Sequence, residues 1–206
     1  IQGCILGYTQ SDEITLVLVD YQNRDTSAWF DNNIQKMASI SASMATMAFN
    51  KSFAHNIALQ SKRLYAEYVS NNDANYIEAL EKAMNKGAMF DSRVFNIPKE
   101  EVINCLIWRQ QDATRNSIQS VGQVNFSHKQ LHGKNCNDIQ DMLMLEKGIN
   151  WNDYPTNLKR GSCCIKTLYK ANEGTEQETI RSKWIIDNDI PIFTRDKDYV
   201  NRLVMI

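Results

Sequence analysis

A chain of 206 residues is long enough to bury a substantial core and suits one domain, or one domain with an appendage. Hydrophobic residues make up 43% and charged residues 23%, and 23 basic against 24 acidic side chains leave a net charge of −1. That balance excludes a protein that meets a polyanion with its overall charge, so a nucleic-acid partner has to be met by local patches or by an assembly. No apolar run approaches the roughly 20 residues of a membrane-spanning helix, and nothing resembles a cleavable signal. The five cysteines (Cys4, Cys105, Cys136, Cys163 and Cys164) are odd in number and contain no Cys-x-x-Cys spacing. This argues against a disulfide framework and for reduced thiols in a cytoplasmic protein. With only His55, His128 and His132, a structural zinc site has little support. The first residue is Ile1 rather than Met, so an N-terminal portion is expected to be missing.

Along the chain, residues 3–8 and 14–19 read as two short strands joined by the polar link Thr-Gln-Ser-Asp-Glu, a β-hairpin. Leu16, Val17, Leu18 and Val19 form an unbroken apolar run, which predicts a second strand buried on both faces. A helix is predicted from Asp31, as N-cap, to about Phe49, with Ile34, Met37, Met44 and Met47 as its apolar stripe. Two more helices are predicted over 57–69 and 75–86, separated by the break Ser-Asn-Asn-Asp-Ala-Asn and ended near Gly87. The stretch 90–98 reads as a short strand stopped by Pro98. One or two helices follow from Lys99, with Val102, Ile103, Leu106 and Ile107 facing the core. A helix over Asp138–Lys147 is closed by Gly148 in the usual C′ position. Residues 149–161 form a structured loop, 162–170 a strand and 172–178 a polar tip, and 183–193 an extended return. The pattern is α+β, with hairpin strands packed on helices.

The adjacent carboxylates Asp12 and Glu13 admit two readings. A turn that solvates its charges needs no further chemistry. A tight turn can also hold a carboxylate rigidly toward a Mg²⁺ ion, which prefers one or two carboxylates plus substrate phosphates. Two such ions clamp the attacking and leaving oxygens of a phosphoryl transfer, but one turn alone cannot supply that pair.

The stretches Gly7–Leu18 ("GYTQSDEITLVL"), "AWFDNNIQKMAS", "FDSRVFNIP", "WRQQDATRNSI", "GINWNDYP" and "KRG" occur in an order that resembles the tRNA-His guanylyltransferase superfamily. They are most similar to its bacterial, archaeal and phage "-like" members, the 3′–5′ polymerases. The resemblance runs from about residue 3 to residue 166. It implies a polymerase-like palm, a ferredoxin-like antiparallel sheet with helices on one face, lacking its first strand and helix in this chain. It also implies a palm-like domain over 1–125 with a helical insertion at about 51–88, and an extension of helix and β-ribbon over 126–206.

The resemblance carries roles to particular positions. Asp12 is the expected ligand of two Mg²⁺ ions, with Ser11 and Glu13 flanking it to support metal and triphosphate, Glu13 beside Asp12 in the catalytic pair. Lys36, placed in register by Trp29–Phe30, is the expected phosphate contact, and Asn116 a nucleotide contact. Arg93, Arg115, Lys159 and Arg160 are the expected tRNA contacts, with Arg109 a further basic candidate; each is otherwise an ordinary solvated cation. Trp151 and Tyr154 either stack a base or pack beneath their loop.

The implied reaction is template-dependent addition of nucleotides to the 5′ end of tRNA. The 5′ phosphate is activated by ATP or already present as a triphosphate, and is then attacked by the 3′-hydroxyl of GTP or another NTP. Relatives assemble as tetramers, so a homotetramer is expected. Thr114–Ser120 departs from the His-Ile-Asn-Asn-Leu-Tyr-Asn stretch of eukaryotic members, favouring the "-like" branch. No Arg-x-Asp-Gly-x-x-Phe motif occurs, so the second metal carboxylate is expected upstream of Ile1, and these 206 residues alone are expected to be inactive. The rival readings are a tRNA-His guanylyltransferase adding a single G, and a non-catalytic palm-like module that binds RNA or protein.

Overall fold

The computed structural model describes residues 1–66, 71–174 and 178–205. Among these the chain is mixed α/β, with a four-stranded antiparallel sheet and seven α-helices. It divides into two compact units, one comprising Ile1–Ala28 with Ile97–Ile206 and the other Trp29–Asn96.

The first unit is built on the sheet, whose order is β2-β1-β3-β4. Strands β1 (Cys4–Gln10) and β2 (Glu13–Leu18) form the predicted hairpin, and β3 (Ser162–Ala171) and β4 (Thr179–Asp187) form a longer ribbon. β1 pairs with β3 through Leu6↔Ile165 and Tyr8↔Cys163, so these four side chains share one face. They pack in one core with Val102, Ile103 and Leu106 of α3 (Val102–Asn125) and Tyr199, Val200 and Val204 of α7 (Asp198–Val204). The opposite face lies open. Leu16 is 38% and Ile14 48% exposed, so β2 is buried on one face only, contrary to the reading of its apolar run. Helices therefore cover one side of the sheet, as the palm resemblance implied.

Gln110 of α3 is 5% exposed, yet both ends of its amide are bonded. Its Nε2 donates to the Pro191 carbonyl at 2.9 Å and its Oε1 accepts from Phe193 N–H at 2.8 Å. This ties the segment after β4 to α3 and seats Ile190 and Phe193 in the core. A satellite cluster of Ile118, Phe126, Ile139 and Leu143 joins α3 to α5 (Cys136–Lys147), with α4 (His128–Leu131) between them. α5 is capped as predicted at its C-terminus, by Gly148 at φ 66°. The expected loop 149–161 contains a 3₁₀ turn, Trp151–Asp153, and the short helix α6, Thr156–Arg160.

The helical unit departs from the sequence reading in three places. Asn33, not Asp31, caps the first helix: its Oδ1 accepts the Lys36 N–H at 3.0 Å, while Phe30, Asp31 and Asn32 all sit at positive φ. That helix, α1 (Ile34–Ala66), runs through the expected gap after Phe49, and α2 (Asn71–Lys86) includes most of the expected break. Residues 67–70, on which the rest of that break and of the preceding helix fall, lie outside the described residues, as do 175–177 of the polar tip.

The third departure is that residues 90–98 are not a strand. Their segment runs antiparallel to α1, whose polar side chains take up its backbone: Asn50 exchanges two bonds with Ala88 at 2.8 and 2.9 Å, and Thr46 accepts from Phe90 N–H at 3.0 Å. Ser41 and Ser92 hydroxyls meet at 2.7 Å. Side chains one helical turn apart do here what a neighbouring strand would otherwise do.

Candidate active site at the β1–β2 hairpin

Gln10↔Glu13 is the last pair of the hairpin, which leaves Ser11 and Asp12 as a two-residue turn. Ser11 has φ 50° whereas Asp12 does not enter the positive region, the sign pattern of a type II′ turn. Glycine is the residue that fits such a position without cost; serine there is strained on the order of 1 kcal/mol or more. The turn projects Asp12 into solvent, and its carboxylate makes no hydrogen bond or ion pair with a described residue.

Its neighbour is treated differently. Glu13 receives Arg109 Nη1 from α3 at 3.0 and 3.2 Å, and Gln10 Nε2 at 2.9 Å. The two carboxylates of the pair thus divide: one is braced against the helix, the other is left with its oxygens free. The Glu13–Arg109 pair is nearly half exposed on both sides (44% and 45%), so its value is geometric more than energetic.

Behind the hairpin, the end of β1 packs on the segment after α6. Tyr8 Oη donates to the Arg160 carbonyl at 2.6 Å, and burial raises the Tyr8 phenol pKa well above its ordinary value. Gly161 sits at φ 84°, where an added Cβ would lie 2.4 Å from the Thr9 carbonyl oxygen and 3.0 Å from Gln10 Cβ. Two buried polar atoms at this junction, Gln10 Oε1 and Arg160 Nε, have no hydrogen-bond partner among the described residues.

The remaining expected residues are distributed as follows. On α3, Asp112 organises two of them: Asn116 Nδ2 donates to it at 3.1 Å and Arg115 lies at 3.5 Å. Lys159 donates to the Asn152 carbonyl at 2.6 Å and lies 5.7 Å from the Trp151 ring centre. Trp151 packs on the satellite core and donates through Nε1 to Ser117 at 3.1 Å, so its ring serves the loop. Tyr154 is half-buried in the same loop. Lys36 and Arg93 belong to the helical unit; Lys36 Nζ lies 4.5 Å from the Phe30 ring centre, and Arg93 lies 3.6 Å from Asp91.

Gln10, Tyr8 and Asp112 were not singled out by the sequence reading. Gln10 carried a legible signal: in the alternation Leu6, Tyr8, Gln10 it is the polar residue in core register, buried to 5%.

The family profile described as tRNAHis guanylyltransferase (Thg1) matches residues 1–98. A bacterial tRNA(His) guanylyltransferase (Thg1)-like protein solved in complex with ATP is 42% identical, with a TM-score of 0.75 over 99% of this chain and 72% of that one. The chain belongs to the tRNA-His guanylyltransferase family. A second bacterial Thg1-like structure, in complex with GTP, is 36% identical with a TM-score of 0.69, covering 100% of this chain and 72% of that one. The tRNA(His) guanylyltransferase of Saccharomyces cerevisiae shares the fold, at 24% identity and a TM-score of 0.50 over 78% of this chain and 64% of that one. An uncharacterized protein of Acanthamoeba polyphaga mimivirus is 28% identical over 82% of this chain, which spans 58% of that relative's length.

Among the described residues of this family member, no group of three or more His, Cys, Asp or Glu side chains converges on a common point. Asp12 offers the hard oxygen donors that Mg²⁺ prefers, but as a single uncommitted carboxylate beside a braced one. Such a donor set fits an ion held chiefly by substrate phosphates and water, not an all-protein cage. No helix among the described residues is long and apolar enough to cross a membrane.

Proposed function

We propose that the chain is the catalytic part of a template-dependent 3′–5′ nucleotidyltransferase that adds nucleotides to the 5′ end of tRNA, with GTP or other NTPs and ATP as substrates. The observation that carries this reading is the division at the hairpin: Asp12 is held free at the tip while Glu13 is braced by Arg109 and Gln10. The ATP and GTP named with the bacterial relatives are consistent with nucleotide substrates here.

In this reading Asp12 holds Mg²⁺ jointly with the triphosphate, with the second ion of the pair depending on a further carboxylate. The metal, when bound, offsets the charge that builds on the reacting phosphates. Everything else asked of this chain is positioning. The strained Ser11 fixes the direction of Asp12, and Ser11 and Glu13 border the triphosphate. Lys36 and Asn116 contact the nucleotide, and Arg93, Arg115, Lys159 and Arg160 contact tRNA. The 3′-hydroxyl of the incoming nucleotide attacks the activated 5′ phosphate, and AMP or pyrophosphate leaves. In this reading the palm draws on both ends of the unit Ile1–Ala28 with Ile97–Ile206, since the hairpin shares one sheet with β3 and β4, and the helical unit Trp29–Asn96 is its insertion. The protein works in the cytoplasm as a homotetramer.

Asp12→Asn, which keeps the shape of the turn, tests this directly in the intact polypeptide with 5′-truncated tRNA, Mg²⁺, ATP and GTP. The expected loss is about two orders of magnitude or more in nucleotide addition, with folding unchanged. Undiminished addition by that variant would remove the metal role and with it the proposal. Comparing truncated tRNAs of several identities separates repair from single-G addition, because activity confined to the histidine tRNA supports the latter.

A further inference from the structure

The two buried side-chain atoms left without a hydrogen-bond partner among the described residues are complementary: Gln10 Oε1 is an acceptor and Arg160 Nε a donor. They belong to one junction. Thr9↔Ser162 is the last pair of β1 with β3, which leaves Gln10 beside the Arg160–Gly161 segment. There the Arg160 carbonyl accepts from Tyr8 Oη at 2.6 Å, and a Cβ at Gly161 would stand 3.0 Å from Gln10 Cβ. The orientation of the Gln10 amide is fixed by its other end. Nε2 donates to the Glu13 carboxylate at 2.9 Å, and turning the amide over would set its oxygen against that carboxylate. Oε1 is therefore directed away from Glu13, in a residue only 5% exposed. Arg160 as a whole is half-buried, but its Nε is enclosed.

We infer that Arg160 is a positioning residue for the hairpin, its Nε donating to Gln10 Oε1 directly or through one enclosed water. A buried donor and a buried acceptor are each costly when unmet, and a single bond or a single water at this junction relieves both. The link completes a chain from Arg160 through the Gln10 amide to Glu13, which Arg109 holds from α3 at 3.0 Å. With Oε1 engaged, the amide cannot turn, so Nε2 stays on Glu13. Glu13 then stays committed and Asp12 stays free. In this role Arg160 touches neither metal nor substrate; the role stands beside its tRNA contact and rests on the reading that the hairpin carries the reaction. Lysine at this position keeps the charge but has no donor partway along its side chain.

The test is steady-state nucleotide addition to 5′-truncated tRNA by the intact polypeptide and by two charge-neutral changes, Arg160→Lys and Gln10→Met. Each is expected to lower kcat about ten- to a hundredfold, with KM for tRNA and its salt dependence kept. The double variant is expected to lose no more than the worse single one, because both changes cut the same link. Losses that multiply overturn the inference. So does an unchanged kcat in Arg160→Lys, and a raised KM for tRNA beside it would leave Arg160 a tRNA contact only. A measurement on the unmutated protein does not depend on the variants folding. By nitrogen-edited proton NMR, the Arg160 Nε proton is expected to exchange with water at least about tenfold more slowly than that of exposed Arg93. Exchange as fast as at Arg93 overturns the inference. A protected Arg160 proton without any nucleotide addition sinks the enzymatic reading alone; addition with that proton unprotected sinks this inference alone.

Discussion

Gly161 offers the sharpest test of how the site is supported. It follows α6 at φ 84° and ψ −172°, a region that is nearly exclusive to glycine and costs other residues about 1–3 kcal/mol. A methyl group there also meets the Thr9 carbonyl oxygen at 2.4 Å, Tyr8 Cε2 at 2.9 Å and Gln10 Cβ at 3.0 Å. Two of those atoms belong to the backbone or near-backbone of a central strand and cannot swing aside, so overpacking adds about 1–3 kcal/mol. Gly161→Ala is therefore expected to destabilise the chain by about 2–6 kcal/mol. For a chain of this size that lowers the melting temperature on the order of 10 °C. Gly133 provides the control, because it has φ 75° with nothing within 4 Å of an added Cβ. Gly133→Ala carries the left-handed penalty alone, about 1–2 kcal/mol. Urea melts of both variants, followed by far-ultraviolet circular dichroism, measure the difference, expected at about 2 kcal/mol. Equal destabilisation would refute the argument that the segment after α6 is pressed against β1.

Removing Arg109 should separate positioning from stability. Arg109→Ala deletes a half-exposed ion pair, so unfolding free energy should change by less than about 1 kcal/mol, whereas nucleotide addition should fall at least about tenfold as the hairpin loses its brace. Comparable loss in both measurements would contradict that role. Tyr8→Phe removes the 2.6 Å bond to the Arg160 carbonyl and should cost about 1–2 kcal/mol in denaturant melts, with little change in the m-value. Burial pushes the Cys163 thiol up from 9.0 to about 12, and Tyr199 is raised too, by burial first and then by its bond to Asp187. A group raised in the folded state gives its full stabilisation below its unfolded pKa and loses it as pH climbs to the folded one. Stability should therefore be flat through neutrality and fall between about pH 9 and 12, by about 4 kcal/mol for Cys163 alone. Cys163→Ala should shallow that alkaline limb; an identical limb would show that the thiol does not contribute.

The hairpin, the helix closed by Gly148 and the long strand after residue 161 were legible because each carries a local signal: polar link residues between apolar strands, a left-handed stop, and β-formers at Ile165, Thr167 and Tyr169 in alternation. The failures were non-local. Nothing adjacent in sequence to residues 88–98 announces that Asn50 and Thr46 will take up the backbone of Ala88 and Phe90 and Ser41 the Ser92 hydroxyl, so an apolar, Pro-terminated stretch reads as a strand. α7 was missed because its turn of apolar residues is too short to show a period, and it is fixed only by the core it meets. At the site, Asp12 and Glu13 were conspicuous as a pair, but their separation into free and braced required Arg109, 96 residues away.

That separation explains why two adjacent carboxylates can sit at one turn. Two free carboxylates on one turn would compete for the same ion and solvent. Pairing Glu13 with the Arg109 guanidinium and Gln10 commits one of them and leaves the other's oxygens available. The β-turn does the rest. Glu13 is the first residue of β2 and follows the pleat toward α3, whereas Asp12 belongs to the turn and has no strand neighbour to share its oxygens. Gln10 completes the arrangement by bonding Glu13 from the paired position across the hairpin, which fixes register at the point where a slip of one residue would exchange the two roles. The placement of Asp12 thus depends on three side chains behind the tip, the half-exposed pair Glu13 and Arg109 and the buried Gln10. The hairpin is therefore expected to lose function through its supports as readily as through its tip.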